Sequence, residues 1–134
     1  MSNTFGFIKD LGELDIEKVL LAFDSPELFV CKGVNGERYL VLFIDDNEYK
    51  HLLVRIDTPT LIKMLHGEIT IEQAFRDRNP TWILRYNQGQ FCSEVIDNKD
   101  LKADELPEQG VYFKIHNRGL QEYIEQLQKS EINS

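Results

Sequence analysis

Cysteine is scarce: Cys31 and Cys92 are the only two in 134 residues, and no Cys-x-x-Cys pair exists. That spacing supports neither a disulfide framework nor a zinc knuckle. No apolar run approaches 18 residues, so a membrane-spanning helix is excluded. The opening Met1-Ser2-Asn3-Thr4 lacks a basic segment followed by an apolar core. The expectation is therefore a protein without an export signal, cytoplasmic, with both thiols reduced. Positive charge is also in deficit: 15 Lys and Arg against 23 Asp and Glu leave a net charge of −8. An acidic chain does not bind nucleic-acid phosphates broadly. It suits a soluble protein, a partner with a basic surface, or a nucleic-acid mimic. Gly-x-Ser-x-Gly, the P-loop and Gly-x-Gly-x-x-Gly are all missing. His51, His66 and His116 show no His-x-His, His-x-x-His or His-Glu-x-x-His spacing, so neither metal nor cofactor is expected. Asp45-Asp46-Asn47-Glu48 lacks the twelve-residue calcium-loop pattern and reads as a solvated hairpin turn.

What is present is a sheet. Between Leu28 and Ile56 three apolar runs (Leu28–Lys32, Tyr39–Ile44 and Leu52–Ile56) are separated by two short polar segments. This is the pattern of an antiparallel meander. Asn35-Gly36 predicts a type I′ hairpin, whose two central residues need positive φ. Tyr39, Val41 and Phe43 face one way, and Leu40, Leu42 and Ile44 the other. A strand apolar on both faces is central and covered twice, or belongs to a curled, barrel-like sheet. In the next run His51, Leu53 and Arg55 share a face, which places that strand nearer an edge or a site. Residues 1–16, weakened by Gly6 and Gly12, read as an irregular arm docked through Phe5, Phe7 and Ile8. A strand over Glu17–Phe23 and a turn at Asp24-Ser25-Pro26 precede the meander.

Asp57 or Thr58 with Pro59 predicts a helix start, Leu61, Ile62 and Leu65 its apolar stripe, and Gly67 its end. Thr70 and Gln73 form a capping-box pattern for a second helix, from Ile71 to about Asp77. The pair resembles a DNA-binding helix-turn-helix in layout only. Arg76 and Arg78 are too few phosphate contacts in an acidic chain. Asn79-Pro80 breaks the helix. Strands are expected at Thr81–Tyr86, Phe91–Ile96 and Val111–Ile115, with a polar surface loop over 97–110 in which Leu101 and Leu106 dock. Asn117 caps a final amphipathic helix through Leu120, Tyr123, Ile124 and Leu127, and residues from Lys129 onward should fray. The fold class is α+β: one domain over 1–134, with a curved antiparallel sheet of six or seven strands, a short helix pair and a C-terminal helix packed on it.

Chemistry-bearing candidates are few. Arg55, Arg85, Lys114 and His116 sit beside apolar neighbours in expected strands, and with His51 they could gather into a positive pocket for a small anion or nucleotide. The plainer alternative is that each pairs with an acid across the strands, such as Glu94. His51 and His116 read as solvent-facing, His66 as a dipole-complementing residue in a helix's last turn. Cys31 and Cys92 read as small core residues. No catalytic residue is assigned.

Three stretches carry a resemblance: Ser25-Pro26-Glu27-Leu28-Phe29, the run Arg38–Asp45, and Leu61–Phe75 with its Leu65-His66-Gly67-Glu68-Ile69 and Ala74-Phe75. Together they resemble a family of small bacterial and phage domains of unknown function, over roughly residues 12–85. The resemblance implies a prokaryotic or phage source and a free-standing accessory role. It supplies no catalytic residues. The leading functional expectation is a non-enzymatic protein-binding or regulatory module, whose partner is another protein or a second copy of the chain. A small-anion or nucleotide-binding protein is the alternative, and an enzyme with dispersed residues the third.

Overall fold

The computed structural model describes residues 4–22, 26–45, 49–76, 78 and 80–132, with the backbone alone at Pro26 and Ile132. The expected turns at Asp24-Ser25 and Asp46-Asn47-Glu48, the helix break at Asn79 and the end of the second helix at Asp77 lie outside the described residues. Seven strands form one antiparallel sheet in sequence order: β1 (Thr4–Ile8), β2 (Gly12–Ala22), β3 (Pro26–Gly33), β4 (Arg38–Asp45), β5 (Lys50–Arg55), β6 (Thr81–Asn87) and β7 (Gln90–Ile96). Among the described residues three α-helices accompany the sheet, α1 (Thr58–Leu65), α2 (Ile71–Phe75) and α3 (Arg118–Ile132), with two 3-10 turns at Asn98–Asp100 and Ala103–Glu105. The expected α+β class with a curved sheet is what the chain adopts. Among the described residues, no helix is long and apolar enough to cross a membrane.

The two faces of the sheet carry separate cores. On the outer face Leu20, Val30, Leu40, Leu52, Val54 and Ile83 meet the helices, which contribute Leu61, Met64, Phe75, Leu120, Ile124 and Leu127. On the inner face Leu14, Phe29, Cys31, Val41, Leu53 and Trp82 pack against one another. No helix covers them; the sheet covers itself by curling. β2 supplies the bend, with register shifts at Ile16/Lys18 and Val19/Leu21. Bulges of this kind increase twist and close sheets toward barrels. The seam is between β1 and β7, which approach each other without being ladder neighbours. Phe91 lies over Gly6 there, its ring 2.5 Å from where a Cβ at position 6 would sit. Phe5 and Phe91 stack with centroids 4.8 Å apart.

Four expectations are corrected. Residues 4–16 are not an irregular arm but β1 and the first part of β2, which continues through the strand expected from Glu17; their hairpin turn closes with Leu11 N–H donating to the Ile8 carbonyl at 2.9 Å and Gly12 at φ +81. Gly6 and Gly12 are required by close approach and by the turn, and so do not argue against order. Conversely, 111–115 is not a strand: Tyr112 makes one isolated bridge to Thr70. The Asn35-Gly36 turn is a three-residue loop with only Gly36 left-handed among its non-terminal residues, closed by Gly33 N–H to the Glu37 carbonyl at 2.8 Å. The two-residue hairpin with positive φ at both central positions is Gln88-Gly89 instead. Finally, of the two alternatives for β5, an edge or a site, the edge is ruled out, since β5 lies between β4 and β6.

The helix signals are realised locally. Asp57 accepts the Thr60 N–H at 3.2 Å, Thr70 and Gln73 cap each other reciprocally, and Asn117 accepts the Leu120 N–H at 2.9 Å. Leu101 and Leu106 dock on the outer core, and the Asn98 amide donates to the Phe75 carbonyl at 2.8 Å. α3 continues as far as Ile132, past the expected point of fraying.

Leu52 and Leu53 are adjacent in β5, point to opposite cores and are both fully buried. If both faces are true cores, Leu52→Ala and Leu53→Ala should each cost about 2–5 kcal/mol. Urea denaturation of the two variants checks this; a cost confined to Leu52 would mean that the inner face is not a packed core.

An aromatic chamber as candidate functional site

Strand register assembles the chamber. Phe43 is the cross-strand partner of His51 across β4–β5, His51 that of Leu84 across β5–β6, and Tyr86 that of Phe91 across β6–β7. All of these project from the inner face at one end of the curled sheet. Phe29 on β3 and Phe5 on β1 close the ring from the other side, and Tyr49, at φ +49, adds its ring at the mouth. A left-handed non-glycine residue is uncommon and marks a backbone held by its surroundings; here the Tyr49 carbonyl accepts from Tyr86 N–H at 3.3 Å. The result is an open cavity of about 350 Å³. Aromatic centroids stand 4.8 Å (Phe43), 5.2 Å (Phe5), 5.9 Å (Tyr49), 5.9 Å (Phe91) and 6.2 Å (Phe29) from the His51 ring. Thr4 and Ile16 also line it, and among the described residues the lining contains no Asp, Glu, Lys or Arg.

His51 is the one titratable base in this chamber among the described residues. It is 4% exposed, not solvent-facing as its sequence neighbours suggest. The correction has a clear origin. Local alternation places His51 with Arg55, but only curling turns that face inward at the His51 end. Burial pushes its pKa down from 6.5 to about 4, so the imidazole is neutral at neutral pH. Its Nδ1 is sealed and has no hydrogen-bond partner among the described residues. A buried polar atom left unmatched is costly and uncommon.

The other residues singled out from sequence do not join His51. Arg55 is on the same face but four residues along β5, about 13 Å away, where it pairs with Glu37 at 3.3 Å and lies over the Tyr39 ring at 5.9 Å. Arg85, opposite Lys50 in the register, is on the outer face and pairs with Glu94 at 3.4 Å. Lys114 is exposed on the segment after β7. His116, also outside any strand, donates from Nε2 to the Leu20 carbonyl at 2.9 Å. Cys31 is buried in the inner core, and burial pushes its thiol up. Cys92 is exposed rather than a core residue.

Arg55 instead meets Arg38 and Arg78 in a second cleft of about 470 Å³ beside the start of α1. Each guanidinium there already faces a carboxylate. Arg38 grips Glu17 at 2.8 and 3.3 Å and donates to Thr58 at 3.0 Å; Arg78 reaches Asp57 at 3.2 Å. Tyr123 donates to Glu17 at 2.5 Å. Burial alone would raise the Glu17 carboxyl, but the bonds from Arg38 and Tyr123 and the Arg38 charge outweigh it and hold the group below the ordinary range. This cleft is charge-balanced, and its arginines tie β2, β4, α1 and α3 together.

Sequence reasoning missed the aromatic chamber because its members come from six strands and a turn, with no spacing in common. The only signal was that Tyr39 and Phe43, and likewise Trp82 and Tyr86, are spaced to share one face of their strands. Comparison of the chain with protein-family models, curated proteins and solved structures returns no match.

The buried imidazole makes stability pH-dependent. Its folded pKa, about 4, lies below the unfolded 6.5, so the unfolded chain takes up the proton first. Stability from this group is therefore complete above pH 6.5 and falls as pH drops toward 4, by on the order of 3 kcal/mol in all. Thermal melts of the wild type should decline across that window, and His51→Phe should flatten the decline. The Glu17 contribution, from a depressed carboxyl, is complete above the ordinary carboxylate range and is lost as pH falls through that range and below it, and should persist in the variant.

Proposed function

We propose that this chain is a non-enzymatic binding module that engages a partner protein by receiving an apolar anchoring side chain in the aromatic chamber. The observation carrying this reading is an open cavity of about 350 Å³ whose lining, among the described residues, is aromatic and uncharged, with exposed Tyr49 and Tyr86 at its mouth. Cavities of this size accept a small ligand or one anchoring side chain. Aromatic side chains dominate the centres of protein interfaces, where a few buried anchors carry most of the affinity. Nearby edge strands add exposed apolar surface at Phe7 and Val95. A second copy of the chain is the weaker choice of partner. Free sheet edges would favour self-pairing, but here β1 and β7 face each other at the Phe5–Phe91 seam. A free-standing accessory role in a prokaryotic or phage cytoplasm is part of the proposal. It rests on the resemblance over residues 12–85 and on the acidic composition.

Small-anion binding has less support. The three arginines of the second cleft are matched by Glu17, Glu37 and Asp57, so an anion has to compete with carboxylates already in place.

Two measurements check this. Neutral aromatic fragments (toluene, benzofuran and indole) at millimolar concentration should shift the amide resonances of Phe43, His51, Tyr86 and Phe91 and raise the melting temperature, since a ligand of the native state stabilises it. Inorganic phosphate and nucleotides at the same concentration should leave the melting temperature unchanged. Chamber resonances that stay fixed with every fragment would remove the binding-module reading; an upward shift with nucleotides would transfer it to the arginine cleft.

A further inference from the structure

We propose that the chamber selects an aromatic side chain carrying its own hydrogen-bond donor, the indole of tryptophan or the phenol of tyrosine on the partner, through His51 Nε2 as acceptor. This inference rests on the binding-module reading above and adds its chemistry. The argument begins with the sealed nitrogen. Of the two ring nitrogens, Nδ1 is the one that is sealed and unpartnered among the described residues. Phe5 and Phe29 stand nearly perpendicular to the imidazole, at 76° and 78°. An N–H enclosed by aromatic rings gains N–H···π attraction, whereas a lone pair in the same place meets only electron density. The proposal accordingly places the proton of the neutral imidazole on Nδ1. A neutral imidazole has one donor and one acceptor, so Nε2 is left as the acceptor.

The rest of the lining narrows the guest. Rings around the cavity favour a flat aromatic group, which packs edge-to-face or offset against them. With no charged side chain in the lining among the described residues, a charged head would lose its hydration without gaining a counterion there. An aromatic guest with no donor fills the space but leaves Nε2 unmatched, and sites built around a buried polar group reject such analogues. Tyr49 and Tyr86, 47% and 43% exposed, flank the opening with aromatic surface beyond the cavity. That extra rim is suited to the backbone around an inserted side chain and has no use for a free ligand.

The test compares isosteres. Indole and benzofuran share shape and differ in the N–H. Wild-type protein, titrated by NMR, should bind indole on the order of tenfold more tightly than benzofuran, a factor set by one hydrogen bond. N-acetyltryptophanamide should bind at least as tightly as indole. His51→Phe should keep fragment binding and lose the preference. Histidine ¹⁵N shifts of the unmodified protein, which need no variant, should show the proton on Nδ1. Equal binding of indole and benzofuran would overturn the donor-selection inference while leaving the binding-module reading intact. A proton on Nε2 would also overturn it. Exclusion of N-acetyltryptophanamide with indole still bound would overturn the assignment to a partner's side chain. Failure of every fragment would instead remove the reading on which the inference rests.

Discussion

Tyr39, Val41 and Phe43 alternate along β4 with Leu40, Leu42 and Ile44, and neither set can face water without losing its transfer energy. At about 25 cal/mol for each Å² of apolar surface, leaving either face open would cost more than a domain of this size has in net stability. Two covers are therefore obligatory. The helices supply one, through Leu61, Met64, Phe75 and the stripe of α3. The sheet supplies the other by closing on itself, with bulges in β2 bending it and Gly6 letting Phe91 complete the seam. Every other feature follows from that closure. It sets the inner core, the shared protection of two edge strands and the chamber at one end.

Closure also explains the contrast between the two ends of the inner face. At one end the strands deliver rings and a neutral imidazole, and the space between them stays open. At the other, Arg55 lies over Tyr39 and pairs with Glu37, while on the helix-covered side of the same edge Arg38, Glu17, Tyr123 and Thr58 form a bonded cluster. That cluster has its donors and acceptors matched, which makes it a fastening between sheet and helices. The chamber has an unmatched nitrogen in an apolar setting, which costs folding energy. The open space beside that buried imidazole, walled by aromatic rings, is the physical basis for placing recognition there.

Local signals translated faithfully wherever the physics was local. Asp57, Pro59, Thr70, Gln73 and Asn117 act on backbone groups within one turn of themselves, and each cap was legible as residue type and spacing. The central strands were legible for the same reason, because period-two alternation is written along each strand. Where a residue's meaning depends on a distant partner, the reading failed. Gly6 looked like a helix breaker and is a contact point for Phe91. Val111–Ile115 has strand composition but no neighbouring strand with which to pair. Arg55 and Arg85 are each one residue out of phase with the other's face, so a shared strand environment did not bring them together.

The amino-acid sequence by itself determined the α+β class, the central meander, the two capped helices and α3, because these depend on periodicity and on side chains reaching nearby backbone. It also determined that the mid-strand must be covered twice. Only the tertiary structure decided how. Curling, bulge positions and the β1–β7 seam turned His51 from an expected surface residue into a buried neutral base. The same closure gathered Phe5, Phe29, Phe43, Tyr86 and Phe91 from five strands around it. Register and closure are long-range quantities, set by which strand meets which, and no window along the chain contains them.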